Sequence, residues 1–201
     1  MSASRLRIAI FASGAGSNAR QLIRYFEQHP LAQVQLVVCN KPGAGVLEIA
    51  AAAGIATLMV ERERFFRGDA YLPVLQQAEI GLVVLAGFLW KIPESLVLAY
   101  TGRMVNIHPA LLPKFGGKGM YGLQVHAAVL AAGETESGIT IHFVDNRYDH
   151  GTALFQARCP VAPNDTPESL AARVHALEHK HYPQVVAALV QQLTNPASPK
   201  G

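Results

Sequence analysis

Cysteine is scarce: only Cys39 and Cys159 occur in 201 residues. They lie far apart in β-branched runs (VVCN, ARCP), with no CxxC or Cys/His cluster beside either, so they read as buried reduced thiols rather than a disulfide or zinc site. A chain of this length buries roughly 70% of the surface it exposes when unfolded and needs no such staple. Free thiols fit a reducing compartment, and the cytoplasm is the expected location. Long hydrophobic runs are absent as well. Although 50% of the residues are hydrophobic, none of the runs reaches the ~18–20 residues of a membrane span, and the opening MSASRLRIAIFAS is too short in its apolar part for a leader. Charge of one sign is also lacking, with 17 basic against 14 acidic residues and a net charge of +3. The basic residues are scattered, which argues against a nucleic-acid platform while leaving enough cations to meet one anionic small molecule.

The apolar runs that remain alternate with glycine turns and helical spacing. Leu6–Ala12 (LRIAIFA) reads as a buried strand ending in SGAGSN, and residues 17–27 place Ala19, Leu22, Ile23 and Phe26 on one helix face. Strands follow at 34–39 and 56–60, with helices over 45–53 and 69–78. Ile80–Ala86 is apolar throughout, as a strand covered on both faces should be, and 104–107 is a shorter strand. These elements predict an α/β fold, doubly wound on a mostly parallel sheet. Past Pro109 come a Gly-rich loop, a helix over 124–132, and strands at 138–144 and 153–161 joined closely enough to pair antiparallel. A long amphipathic helix over 166–193 closes the chain, with Thr166 as N-cap and Glu168 in its first turn. Residues 1–193 are expected to form a single domain and 194–201 a disordered tail.

Two clusters can carry chemistry. Read as G-x-G-x-x-A, Gly14–Ala19 loosely matches a dinucleotide turn, but the second strand ends Val38-Cys39-Asn40-Lys41 without the acidic residue that would hold a ribose. Three readings stay open: an NADP site using Lys41, a tight turn with Ser17 as N-cap, and a single-phosphate cradle of the Gly16, Ser17 and Asn18 amides at a helix N-terminus. The second cluster begins with Asn106 and His108, which strand alternation points to one side at the carboxyl end of the sheet, where α/β proteins bind ligands. Asp145, Asp149 and His150 follow in the loop DNRYDHG, with Gly151 expected to relax its backbone. An anion cradle, an amide donor, an imidazole and a carboxylate suit acyl or one-carbon transfer.

SGAGSN, LAGF at 85–88, NIHPALLPKF at 106–115, GITIHFVDNRYDHG at 138–151 and EHKHYP at 178–183 together resemble the phosphoribosylglycinamide formyltransferase family, the folate-dependent transformylases of purine synthesis, over about residues 6–190. The resemblance implies a Rossmann-like formyltransferase fold and a catalytic trio of Asn106, His108 and Asp149, with Asp149 moving His108 toward its charged form. Gly16, Ser17, Asn18 and Glu178 match contacts to phosphoribosylglycinamide (GAR). Leu89, Trp90, Lys91, Ile92, Val144 and Asp145 match segments that hold folate. The implied co-substrate is 10-formyltetrahydrofolate, with no metal, no nucleic acid and no membrane partner, in a monomer or homodimer.

The chain departs from the family pattern in two places. Leu89-Trp90-Lys91 stands where many members carry an arginine, leaving Arg62, Arg64 and Arg67 as candidates for a folate contact. The loop Phe115–Gly122 is longer than in many members, and its glycines suggest a mobile flap. A different amine acceptor, such as methionyl-tRNA or an amino sugar, and formyltetrahydrofolate hydrolysis are the rivals within the chemistry. The C-terminal RNA-binding domain expected of the tRNA enzyme and the N-terminal regulatory domain expected of the hydrolase would not fit beside the pattern in this length.

Overall fold

The computed structural model describes residues 5–67 and 69–195. The tail expected to be disordered lies, beyond Asn195, outside the described residues. Seven strands form one sheet: β1 (Leu6–Ala12), β2 (Ala32–Cys39), β3 (Ala56–Met59), β4 (Ile80–Leu85), β5 (Met104–His108), β6 (Glu136–Phe143) and β7 (Ala153–Pro160). Their order across the sheet is β3-β2-β1-β4-β5-β6-β7. The first five are parallel, and β6 runs antiparallel to both β5 and β7. The expected antiparallel pair is therefore present, and it adds to the sheet through β5, a neighbour the sequence did not specify.

Among the described residues seven helices cover the sheet: α1 (Ser17–Phe26), α2 (Gly45–Ala52), α3 (Arg62–Phe66), α4 (Leu72–Gln77), α5 (Glu94–Ala99), α6 (Leu123–Ala131) and α7 (Pro167–Thr194). Pleating divides each central strand between two cores. Ile8 and Ile10 of β1 with Leu82 and Val84 of β4 join the core under α1, α2, α6 and α7. Ala9, Phe11, Val83 and Leu85 join the core built with Phe65 of α3, Leu75 of α4 and Leu96 of α5. This two-sided burial is why these strands read as unbroken apolar runs. α3 and α5 were not expected, and α4 is shorter than the helix expected over 69–78.

α7 begins as its sequence predicts. Thr166 Oγ1 accepts the Ser169 N–H at 3.2 Å, and Ser169 Oγ accepts the Thr166 N–H at 3.0 Å. Further along, the buried Tyr182 hydroxyl bonds the carbonyls of Leu85 at 2.8 Å and Val105 at 3.4 Å. That tie pins α7 beneath the carboxyl end of β4 and the start of β5, and one turn earlier it brings Glu178 to the first turn of α1.

Candidate active site

β1 and β4 are neighbours, but the chain continues from β1 outward to β2 and from β4 outward to β5. Loops leave such a switch point in opposite directions and open a crevice at the strands' carboxyl ends. A cavity of about 680 Å³ lies there, lined by residues 14–18 after β1, 85–92 from the end of β4, 106–109 at the end of β5, 117–122, and parts of 142–149.

β5 presents Asn106 and His108 on one face while Ile107 enters the opposite core. The antiparallel register of β6 sets His142 opposite Asn106 and Thr140 opposite His108, and a second histidine thereby joins the cluster. Asp149 gathers them. Its Oδ2 accepts the Gly117 N–H at 2.9 Å and lies 3.5 Å from His108 Nδ1. Its Oδ1 accepts from Asn106 Nδ2 at 3.4 Å and lies 3.7 Å from His142 Nε2, which is 3.1 Å from the same Asn106 nitrogen. The other ring nitrogens face carbonyls that can only accept, so His108 Nε2 donates to Phe115 O and His142 Nδ1 to Phe143 O, each at 2.8 Å. His108 Nδ1 and His142 Nε2 therefore carry no proton in the neutral rings, and both point at Asp149.

Burial sets the charge states. His108, 3% exposed, is pushed below the ordinary histidine pKa by desolvation; Asp149 and the Phe115 carbonyl pull it upward by less, and His142 adds to the depression. The expectation that Asp149 would carry His108 toward protonation is corrected: the carboxylate acts in that direction and burial outweighs it. Burial likewise raises the Asp149 carboxyl, but the His142 hydrogen bond, His108 and the Gly117 N–H together hold it below its ordinary value. At neutral pH the site pairs a neutral imidazole with an ionised carboxylate. Asp149 takes a positive φ of 52°, which Asp tolerates better than most side chains. Gly151 has a different reason from the one expected. A Cβ there would run into the Phe143 carbonyl, so glycine serves close approach rather than backbone relaxation.

The other end of the cavity is the glycine turn. Gly16, at φ +76°, is the N-cap of α1 and no side chain caps the helix, so the reading of Ser17 as N-cap is corrected. The first amides of α1 open toward the cavity without intrahelical acceptors. Asn18 Nδ2 donates to Glu178 Oε2 at 2.8 Å, while its buried Oδ1 has no partner among the described residues. Glu178 is 5% exposed, and burial raises its pKa against the lowering effect of Asn18 and His175. Asn40 and Lys41 do not line the cavity, so Lys41 is not placed to meet a dinucleotide phosphate there.

Leu89, Trp90, Lys91, Ile92, Val144 and Asp145 all line the same cavity. Ser13 holds the segment after β4: its N–H bonds the Gly87 carbonyl at 3.0 Å and its Oγ accepts the Leu89 N–H at 2.9 Å. Trp90 packs against Phe65, Phe66 and Phe88 at ring distances of 5.7, 5.6 and 6.3 Å. Arg62 lies over the Phe66 and Trp90 rings and Arg64 over Tyr71, and none of Arg62, Arg64 or Arg67 lines the cavity. Asp145 spends its carboxylate within its own turn, on the Arg147 N–H at 2.8 Å and near His150 Nδ1 at 3.2 Å. The glycine-rich loop is bonded at its start to the cluster itself, through Phe115 O and Gly117 N.

Sequence reasoning missed His142 and His126. For His142 a signal existed: Thr140 and His142 are alternate polar positions in an otherwise apolar run, the same spacing that singled out Asn106 and His108. His126 of α6 lines the cavity at 1% exposure, with no partner for Nδ1 among the described residues. Burial, with His175 and His108 adding to it, lowers its pKa to about 4.

A family model described as formyl transferase matches residues 6–186. The chain belongs to the formyl transferase family. Within that family it is 44% identical over 194 residues to "Phosphoribosylglycinamide formyltransferase, chloroplastic" of Arabidopsis thaliana, covering 94% of this chain and 66% of the relative. It is 37% identical to "Phosphoribosylglycinamide formyltransferase" of Bacillus subtilis, covering 92% and 94% respectively. The solved phosphoribosylglycinamide formyltransferase of Brucella melitensis superposes with a TM-score of 0.82 at 39% identity, covering 93% of this chain and 96% of that one. The chain spans 62–66% of the length of its plant relatives and 14% of the trifunctional purine biosynthetic protein of Drosophila melanogaster. Among the described residues, no group of His, Cys, Asp or Glu is arranged to hold a metal ion, and no helix is long and apolar enough to cross a membrane.

Proposed function

We propose that the chain transfers the formyl group of 10-formyltetrahydrofolate to the amine of GAR, yielding formyl-GAR and tetrahydrofolate in purine biosynthesis. The observation that carries this reading is the convergence of Asn106, His108 and Asp149 on one cavity whose far end holds the glycine turn, Asn18 and Glu178. The names of the full-length bacterial relative and of the superposing structure agree with it.

In this reading the first-turn amides of α1 and the Ser17 hydroxyl hold the GAR phosphate. Glu178 accepts from the ribose hydroxyls, and the orphaned Asn18 Oδ1 accepts an N–H of the glycinamide. Residues 89–92 and 144–145 hold folate through backbone and apolar contacts, with Trp90 offering a ring from its aromatic cluster. As the GAR nitrogen bonds to the formyl carbon, the carbonyl electrons move to oxygen, and Asn106 donates to that oxyanion. Neutral His108 takes the proton the amine loses, and Asp149 holds the resulting imidazolium. The proton then passes to N10 as the bond between N10 and the formyl carbon breaks. No covalent enzyme intermediate is required.

The same reading treats residues 1–193 as one domain, acting in the cytoplasm as a monomer or homodimer. A spectrophotometric assay for folate product, run with and without GAR, tests the reaction. Product only with GAR is expected. Product without GAR would identify a hydrolase, and no product from folded protein would reject the acceptor.

A further inference from the structure

A second depression lies beside α1 and α2, away from the catalytic cluster. At about 840 Å³ it exceeds the catalytic cavity's 680 Å³ and falls within the roughly 300–1,000 Å³ range of small-molecule sites. Its floor is apolar, formed by Ile23 and Phe26 of α1, Val34 of β2, Ile49 of α2 and Ile55.

Arg5, Arg20 and Arg24 line its rim. Arg20 and Arg24 are four residues apart on α1, so like charges share one helix face and repel. Their guanidiniums, and that of Arg5, make no hydrogen bond or ion pair among the described residues. Arg7, Arg158 and Arg173, in contrast, each have a carboxylate partner. Glu27 and Glu48 line the same depression, and three cations against these two carboxylates leave it positive. A pair of guanidiniums matches phosphate oxygens in charge and fork geometry. The depression also contains Gln33 and Gln35, joined by a 3.2 Å bond from Gln33 Nε2 to Gln35 Oε1. That bond leaves the amide oxygen of Gln33 and the amide nitrogen of Gln35 as further polar groups of the lining residues.

We propose that this depression is a binding site for a nucleoside monophosphate, distinct from the catalytic cavity, with arginines for the phosphate and the apolar floor for the base. Ala15 lines both cavities, so the two sites are adjacent and the test must separate them.

Calorimetric titration of the full chain with adenosine 5′-monophosphate does so without reference to formyl transfer. Saturable one-site binding is expected, weakened at least about tenfold in the double variant Arg20→Ala/Arg24→Ala by loss of charge-assisted bonds. Both positions are exposed on a helix where alanine is well tolerated, and circular dichroism of the variant checks its fold. Binding should persist under saturating GAR and be at least about tenfold tighter than that of inorganic phosphate or adenosine alone. The proposal fails if the nucleotide does not bind, if the double variant binds it unchanged, or if GAR displaces it. It fails equally if phosphate alone binds as tightly, since the apolar floor would then contribute nothing.

Discussion

A neutral, nearly dry imidazole next to an ionised carboxylate is poised to receive a proton. The depressed pKa of His108 places the acid limb of kcat/KM below pH 6.5, with activity lost as pH falls through that depressed value and the proton acceptor is consumed. Asp149 is the carboxylate that raises His108 against burial, so Asp149→Asn should move this limb to still lower pH and cut kcat by roughly 10²–10⁴. His108→Ala should cost a similar factor with a smaller change in KM for either substrate, because both groups act on charge that develops only in the transition state. Steady-state profiles from pH 4 to 8 check both, and an unmoved limb in Asp149→Asn would mean that Asp149 does not set the His108 charge. Asn106, His108 and Asp149 were legible because they are polar residues in short, distinctive segments. His142 shares their alternating spacing, but its place beside them depends on the β5–β6 register that sets it opposite Asn106, and a pairing between residues 36 positions apart leaves no local pattern.

Strands were legible even where short, as β3 is at 4 residues, but helices needed length. The central strands and α7 carry enough periodic positions to declare themselves, whereas α3 and α5, with 5 and 6 residues, offer less than two turns of pattern. Where elements meet, the two glycines of the first turn separate into different roles. A Cβ on Gly16 would lie 2.8 Å from Val46 Cβ of α2 at a backbone φ of +76°, whereas one on Gly14 meets nothing within 4 Å. Gly16→Ala should therefore destabilise the fold by about 2–4 kcal/mol through overpacking and left-handed strain, and should raise the KM for GAR as the cradle shifts. Gly14→Ala should stay within about 1 kcal/mol of the parent. Equal urea midpoints for the two variants would contradict the close packing of α1 on α2. At the other seam, Tyr182→Phe removes the hydroxyl that ties α7 to β4 and β5. A loss of about 1–2 kcal/mol is expected, read as a lower thermal midpoint, and an unchanged midpoint would mean the tie contributes nothing.

Across the whole molecule, several histidines are buried or half-buried in the folded state, and their protonation couples the stability of the fold to pH. His108, His126, His179 and His181 are all held below the ordinary histidine pKa, each chiefly by burial. On unfolding they return toward 6.5, so below that pH the unfolded chain binds protons the folded chain refuses, and stability falls as pH falls. For His126 the window runs from 6.5 down to about 4. Glu178 works in the opposite sense: its carboxyl is raised by burial, so the folded state binds the extra proton just above 4.5. One carboxyl opposes four histidines, and the net slope is expected to follow the histidines. The urea midpoint should decline steadily from pH 6.5 to 4. His126→Gln, which keeps a polar side chain at the site but cannot titrate, should flatten that decline while leaving the midpoint near pH 7 comparatively unchanged. The same slope in variant and parent would show that His126 is not a proton-linked group of the fold. A flatter slope would mean that a residue on the wall of the cavity, absent from every motif the sequence displays, helps set how the whole molecule responds to acid.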